Sequence, residues 1–246
     1  MGVLRKGFPV AVFDPLTVGS LLVLAAGGGG LACDMPKATA INVTPKTLDI
    51  RYDYSQSLNQ IQKIKSDTID PHGFGGVSVT QGFMSGGIKL RPQVKLAYMT
   101  YERQGAACVW YDTIDVVLEI DPSIVIAKEV YEDRCMHEAV RRHELKHVKV
   151  DREIVNKYAR IMGKKLYDEL SVRGFKSGII NAAGTQTVME RMQDTVYDIV
   201  KHEYKKMELE RIDLQRAVDN IKEYESVRDQ CPSFQEKYQS RSGYAR

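Results

Sequence analysis

The chain has 246 residues, 43% hydrophobic and 27% charged, which suits one globular domain with appendages. Its formal net charge of +3 arises from interspersed basic and acidic side chains. With no basic face and no acidic tail, nothing calls for nucleic acid or another polyanion as partner.

Residues 1–33 differ from the rest. Arg5 and Lys6 precede the apolar run Leu16 to Ala26, which gives way to four glycines and then Leu31, Ala32 and Cys33. Charge, apolar core and small residues in that order form an export signal. Cleavage between Ala32 and Cys33 resembles lipoprotein processing and would attach the chain to a membrane through an acylated Cys33, although Gly30 and Leu31 depart from the usual recognition sequence. Ordinary cleavage and an uncleaved anchor are the alternatives. All three lead out of the cytoplasm, to the periplasm or the membrane-anchored cell envelope, where disulfides can form. Cys108 with Cys135 is the first expectation; Cys231 also returns near Cys135 if the two long helices below are antiparallel, so the second pairing stays open. No two of these cysteines are closely spaced, which disfavours a zinc site built from them.

After a polar linker at 34–40, a domain is expected over 41–230, with 231–246 as a C-terminal tail. Short β-patterned pieces come first: Ile41 to Val43, Leu48 to Tyr52, Val77 to Thr80, Ile88 to Thr100, Val109 to Glu119 and Ile124 to Ala127. Period-two alternation such as Val94, Leu96 and Tyr98 marks strands with one buried face. Ser57 to Lys65 reads as a short helix. The turn-forming stretch Asp70 to Gly76 carries His72, expected on a surface turn rather than in a cleft.

From Arg134 to Leu170 the apolar spacing becomes helical, with Val140, His143, His147, Val150 and Ile154 in one stripe. A break follows at Gly174 to Gly184, and a second helix is expected from Thr185 to Val227. Two long helices with a short connection pack antiparallel. The fold class expected is therefore α+β, a twisted and mostly antiparallel sheet packed on two long antiparallel helices.

Residues 143 to 147 read His-Glu-Leu-Lys-His. One helical turn of separation puts both imidazoles on one face, where they can share a zinc ion (Zn) while Glu144 points toward the metal's open side. Zinc there would activate water and polarise a carbonyl, with Glu144 as general base, so no Ser or Cys nucleophile is needed. The bland reading, two histidines in a charged helix, is weakened because Arg141, Arg142, Lys146 and Lys149 lie off the stripe that the histidines occupy. With the connection as hinge, residues 203 to 213 should face the histidines. Glu203, which interrupts the second helix's apolar stripe, is the leading third ligand, ahead of Glu210 and His202; the bland reading is a solvated glutamate. Asp151, one turn beyond His147, is expected to orient an imidazole rather than bind metal. Glu153 has the spacing of the third metzincin ligand, but Val150 replaces the glycine that this pattern needs. His137 should be structural. Tyr158, Tyr197 and Tyr204 are core or interface candidates, with Tyr197 or Tyr204 as a conceivable oxyanion donor.

With an export signal, a β-rich first half, Cys108 before a strand and His143-Glu144-x-x-His147 on a long helix, the chain resembles the predicted secreted zinc-dependent proteases of Gram-negative bacteria. The likeness runs over about residues 41 to 215 and is tightest from Ile124 to His147. It implies a zincin-like fold in which the metal helix lies beneath a sheet whose edge strand binds an extended peptide. Members carry Tyr-Asp followed shortly by His-Gly in the second helical region. Here Tyr197-Asp198 is present, but the aligned pair reads Glu203-Tyr204, or His202-Glu203 with a one-residue shift, so the third ligand departs from the pattern. The reading is an envelope zinc metallopeptidase acting on a peptide or protein substrate. The competitors are a zincin-like binding or assembly protein without turnover and a structural domain with a closed zinc site.

Overall fold

The computed structural model describes residues 31–63 and 80–242. The expected export segment up to residue 30, His72, most of the Val77 to Thr80 strand and the end of the helix expected from Ser57 lie outside the described residues.

Seven strands among the described residues form two sheets. The first has β5 (Ala106–Ile120) at its centre, with β4 (Ile88–Tyr101) on one side and β1 (Ala40–Thr47) and β7 (Lys176–Asn181) sharing the other. The second places β6 (Ser123–Ile126) between β2 (Arg51–Asp53) and β3 (Gly82–Ser85). Both sheets are mixed: β1 runs parallel to β5 and β2 parallel to β6, while β4, β7 and β3 pair antiparallel. The expectation of a mostly antiparallel sheet is corrected on this point. Two early strands each dock beside a later strand of the same direction, a choice that alternation within a strand does not encode. β4 carries Pro92, which an edge strand tolerates because its outward side makes no ladder.

The helices are α1 (Leu58–Ile61), α2 (Lys128–Tyr131), α3 (Arg134–Arg173), α4 (Thr185–Val218), α5 (Ile221–Asp229) and α6 (Pro232–Ser242). The Asp133 carboxylate caps α3 by accepting from the Met136 N–H at 2.9 Å, and Gly174 with φ of 85° ends it. The α3 face that the sequence marks is buried, and it spans two cores. Val140, Val148 and their neighbours pack on the second sheet with Cys231 and Phe234, whereas Ile154, Met162, Leu166 and Leu170 pack on the first sheet and α4. Each such side chain contributes roughly 1.5–3 kcal/mol. Between the two cores, His143, Glu144, His147 and Asp151 are buried polar residues. The motif thus sits in a polar gap between two apolar clusters.

α3 and α4 are antiparallel: His147 meets Gln215, Asp151 meets Arg211, and Lys157 meets Glu210. Their register is shifted from the expectation because the connection is not a simple hinge. It contains β7, whose start lies level with Tyr111, since the Tyr111 N–H donates to the Phe175 carbonyl at 3.1 Å. The Tyr111 hydroxyl donates to the Met192 carbonyl at 2.8 Å. The first two turns of α4 therefore only bring the chain back to the end of α3. Residues about two turns later than 203 to 213 then reach the histidines.

Two disulfides join Cys33 to Cys108 and Cys135 to Cys231, with Cα separations of 5.7 and 5.9 Å. The expected Cys108–Cys135 pair is not formed. Cys33, the residue expected to carry an acyl group, is here bonded to Cys108. The linker is anchored as well, through Lys37 to Asp112 at 2.8 Å and the Thr39 hydroxyl to the Tyr111 carbonyl at 2.8 Å. The expected tail holds helix α6 and the buried Cys231 and Phe234. Two disulfides point to an oxidising, exported environment. No helix among the described residues is long and apolar enough to cross a membrane. Replacing both Cys135 and Cys231 by Ser is expected to lower the unfolding free energy by about 2–4 kcal/mol, read as a lower urea midpoint, because the bond closes a long loop.

Candidate metal centre

α3 delivers His143 and His147 to the polar gap, and the third donor comes from the end of α4. There Asn220 breaks the helix by serving both sides: its Nδ2 donates to the Ala217 carbonyl at 2.9 Å, and its Oδ1 accepts from the Glu223 N–H at 3.0 Å. Asn at this position offers side-chain partners to both helix ends, which a continuing helix would not need. The break leaves Asp219 at the C-cap of α4. A carboxylate is disfavoured by the dipole at a helix C-terminus. Here its compensation is the histidine pair.

His143 Nε2 lies 3.3 Å from Asp219 Oδ1, and His147 Nε2 lies 3.1 Å from the same oxygen. The rings are nearly perpendicular, with centroids 5.1 Å apart. Donor atoms of His143, His147 and Asp219 all fall within 4.8 Å of one another. Ligands of a tetrahedral zinc at ordinary bond lengths stand about 3.3 Å apart, so the two nitrogen–oxygen separations fit an ion between them. The outward nitrogens fit as well. His143 Nδ1 is 3.4 Å from Glu223 Oε1, and His147 Nδ1 is 2.5 Å from Gln215 Oε1. Acceptors at both Nδ1 positions leave Nε2 for metal. Lys146 Nζ pairs with Glu223 and holds that carboxylate in place. The Tyr224 ring lies 5.8 Å from the His143 ring.

The electrostatics follow from burial and crowding. His147 is 8% exposed. Burial alone would lower its pKa, but the Asp219 hydrogen bond and the charges of Glu144 and Asp219 raise it to about 9. His143 moves the same way: burial opposes, while the Asp219 bond and Glu144 prevail. Asp219 is pulled far below the usual carboxylate range by both histidines, against burial. For Glu144, which is 3% exposed, burial pushes the carboxyl up, opposed by both histidines and by a hydrogen bond from the Met84 backbone. That bond needs β3 close to α3. A Cβ on Gly82 would stand 2.8 Å from both the Val125 carbonyl oxygen and Val140 Cγ1, so glycine permits the approach.

Three of the four expected site residues thus meet or adjoin here: His143, His147 and Glu144. Glu203 does not join them. It is buried on α4 and accepts from Lys206 Nζ at 2.8 Å. Glu210 is taken by Lys157 at 2.6 Å and by the Tyr158 hydroxyl at 3.1 Å, and His202 is exposed. Glu153 pairs with Lys149 on the exposed face. Asp151 does not touch an imidazole; it reaches His147 only through Gln215. The Tyr204 hydroxyl donates to the Ile88 carbonyl, and Tyr197 is exposed. His137 packs edge-on against Tyr54 and Tyr131 at 5.6 and 5.0 Å, in keeping with a structural role. Sequence reasoning missed Asp219. Its signal was the pair Asp219-Asn220, two poor helix-interior residues inside a run taken as one helix.

Compared with models of known protein families, with curated proteins and with solved structures, the chain matches none.

Proposed function

We propose that this protein is an exported zinc-dependent hydrolase acting on peptide bonds, with His143, His147 and Asp219 as metal ligands and Glu144 as general base. The observation that carries the reading is the convergence of two imidazole Nε2 atoms and one carboxylate oxygen beside a buried glutamate. Zinc suits two neutral nitrogens and one carboxylate, and when bound it makes water acidic at about pH 7 and polarises a carbonyl.

This chain's own residues supply the rest. Glu223 orients the His143 imidazole. Glu144 takes a proton from the attacking water and delivers it to the leaving nitrogen, a role helped by burial, which raises its pKa above the ordinary carboxylate value. The Met84 N–H holds that carboxylate in place. A closed structural zinc site would need a fourth protein donor, and among the described residues the cluster comprises three. The resemblance to secreted zinc-dependent proteases supports a zincin-like architecture and a peptide substrate, and the two disulfides support action in the cell envelope.

Glu144→Gln is expected to retain stoichiometric zinc while losing peptide hydrolysis by a factor of roughly 10²–10⁴, measured on a peptide library with the zinc-loaded protein. Wild-type protein that holds zinc and cleaves no peptide would overturn the hydrolase reading.

A further inference from the structure

Behind His147 the polar gap ends in a buried ion pair. Arg211 on α4 donates from Nε and Nη2 to the two carboxylate oxygens of Asp151 at 2.6 and 2.9 Å, and Asp151 is 1% exposed. Gln215 lies one turn further along α4. Its Nε2 donates to Asp151 Oδ1 at 2.7 Å and to the His147 carbonyl at 3.2 Å. Both of those partners only accept, so the amide nitrogen must face them and the amide oxygen must face the ring. That oxygen sits 2.5 Å from His147 Nδ1. An amide oxygen cannot donate. Nδ1 therefore carries the proton that faces this oxygen, and Nε2 is the ring nitrogen that faces Asp219.

We propose that Gln215, oriented by the Asp151–Arg211 pair, is a positioning residue that holds His147 as the Nδ1–H tautomer and so presents Nε2 to the metal. Hydrogen-bonded partners of this kind fix ring orientation and raise ligand basicity. The flip state of a glutamine is otherwise free; here a paired carboxylate decides it. The inference rests on the proposed metal site for its functional meaning, but its first readout needs no metal.

The test is imidazole ¹⁵N NMR on the full chain, together with zinc affinity by chelator competition. Wild-type protein should show a His147 Nδ1–H protected from exchange, with and without zinc. Gln215→Met should lose that protection and bind zinc roughly 10–100-fold more weakly. Gln215→Glu sets two carboxylates against each other and should also weaken binding. Gln215→Met keeps the length and bulk of the side chain, so a loss of Nδ1–H protection in it is a change that a purely packing role would not produce.

An unprotonated Nδ1 in the wild-type protein overturns the proposal whether or not any variant folds. A Gln215→Met variant with unchanged protection and affinity also overturns it. If the Nδ1–H is protected and depends on Gln215 but no zinc binds, the positioning stands and the metal reading fails.

Discussion

Asp219→Ala is expected to weaken zinc binding by at least about a hundredfold, beyond the 10–100-fold that loss of an outer orienting partner costs. Glu203→Gln is expected to leave zinc affinity unchanged. Asp219 brings one oxygen to within 3.3 Å of both Nε2 atoms, whereas Glu203 is engaged by Lys206. Removing the carboxylate takes away a ligand and also the charge that compensates two buried histidines. Chelator competition on both variants checks the pair. Equal affinities, or a loss confined to Glu203→Gln, would return the third position to the middle of α4. The helix break itself is made by Asn220 and is kept in the variant.

The fall of stability with rising pH expected of the metal-free protein should be offset when zinc is bound. In the metal-free protein, burial lowers the His147 pKa, but its Asp219 bond and the nearby Glu144 and Asp219 charges raise it from 6.5 to about 9. A group whose pKa is raised by folding stabilises fully below its unfolded value and loses that contribution as pH rises through the folded value. Between pH 6.5 and about 9 the metal-free protein should therefore lose about 3 kcal/mol. The depressed Asp219 reflects the same ion pair from the acid side and adds nothing in this window. Zinc must displace the Nε2 proton, so apparent affinity should rise with pH, about tenfold per unit for one proton, up to about pH 9. Ligand binding to the native state converts that gain into stability. Thermal melts in chelator should thus fall from pH 6.5 to 9, and melts at fixed free zinc should fall less or rise. Parallel curves would mean that zinc does not compete with the His147 proton.

The elements that the sequence revealed are those whose periodicity is set by one buried face. The α3 stripe, the long alternating β4 and β5, and the antiparallel helix pair were legible because burial imposes 3.6- and 2-residue repeats. The partners of β1 and β2 were not, since an alternating strand says which face is buried and nothing about its neighbour. β7 was hidden in a segment read as a plain break, and its extended residues moved the α4 register by about two turns. The window facing the histidines thereby moved from 203 to 213 on to Gln215 and Asp219, the latter more than four turns beyond Glu203. His143 and His147 were legible because both lie on one helix and their spacing is local. The third donor depends on a connection whose length in space, not in sequence, decides which residue arrives. The first-choice pair Cys108–Cys135 failed for the same reason, since the partnership of Cys33 with Cys108 spans 75 residues, whereas the alternative of Cys135 with Cys231 followed from the antiparallel helices and is formed.

In the proposed site two imidazoles and the Asp219 carboxylate hold one divalent ion with room left for water. X-ray absorption at the zinc edge on the oxidised full chain decides whether they do. The expected spectrum shows one zinc per chain with two histidine nitrogens and oxygen donors at about 2.0–2.2 Å, and loss of one oxygen donor in Asp219→Ala. No bound zinc, or a spectrum unchanged by that substitution, would rule the site out.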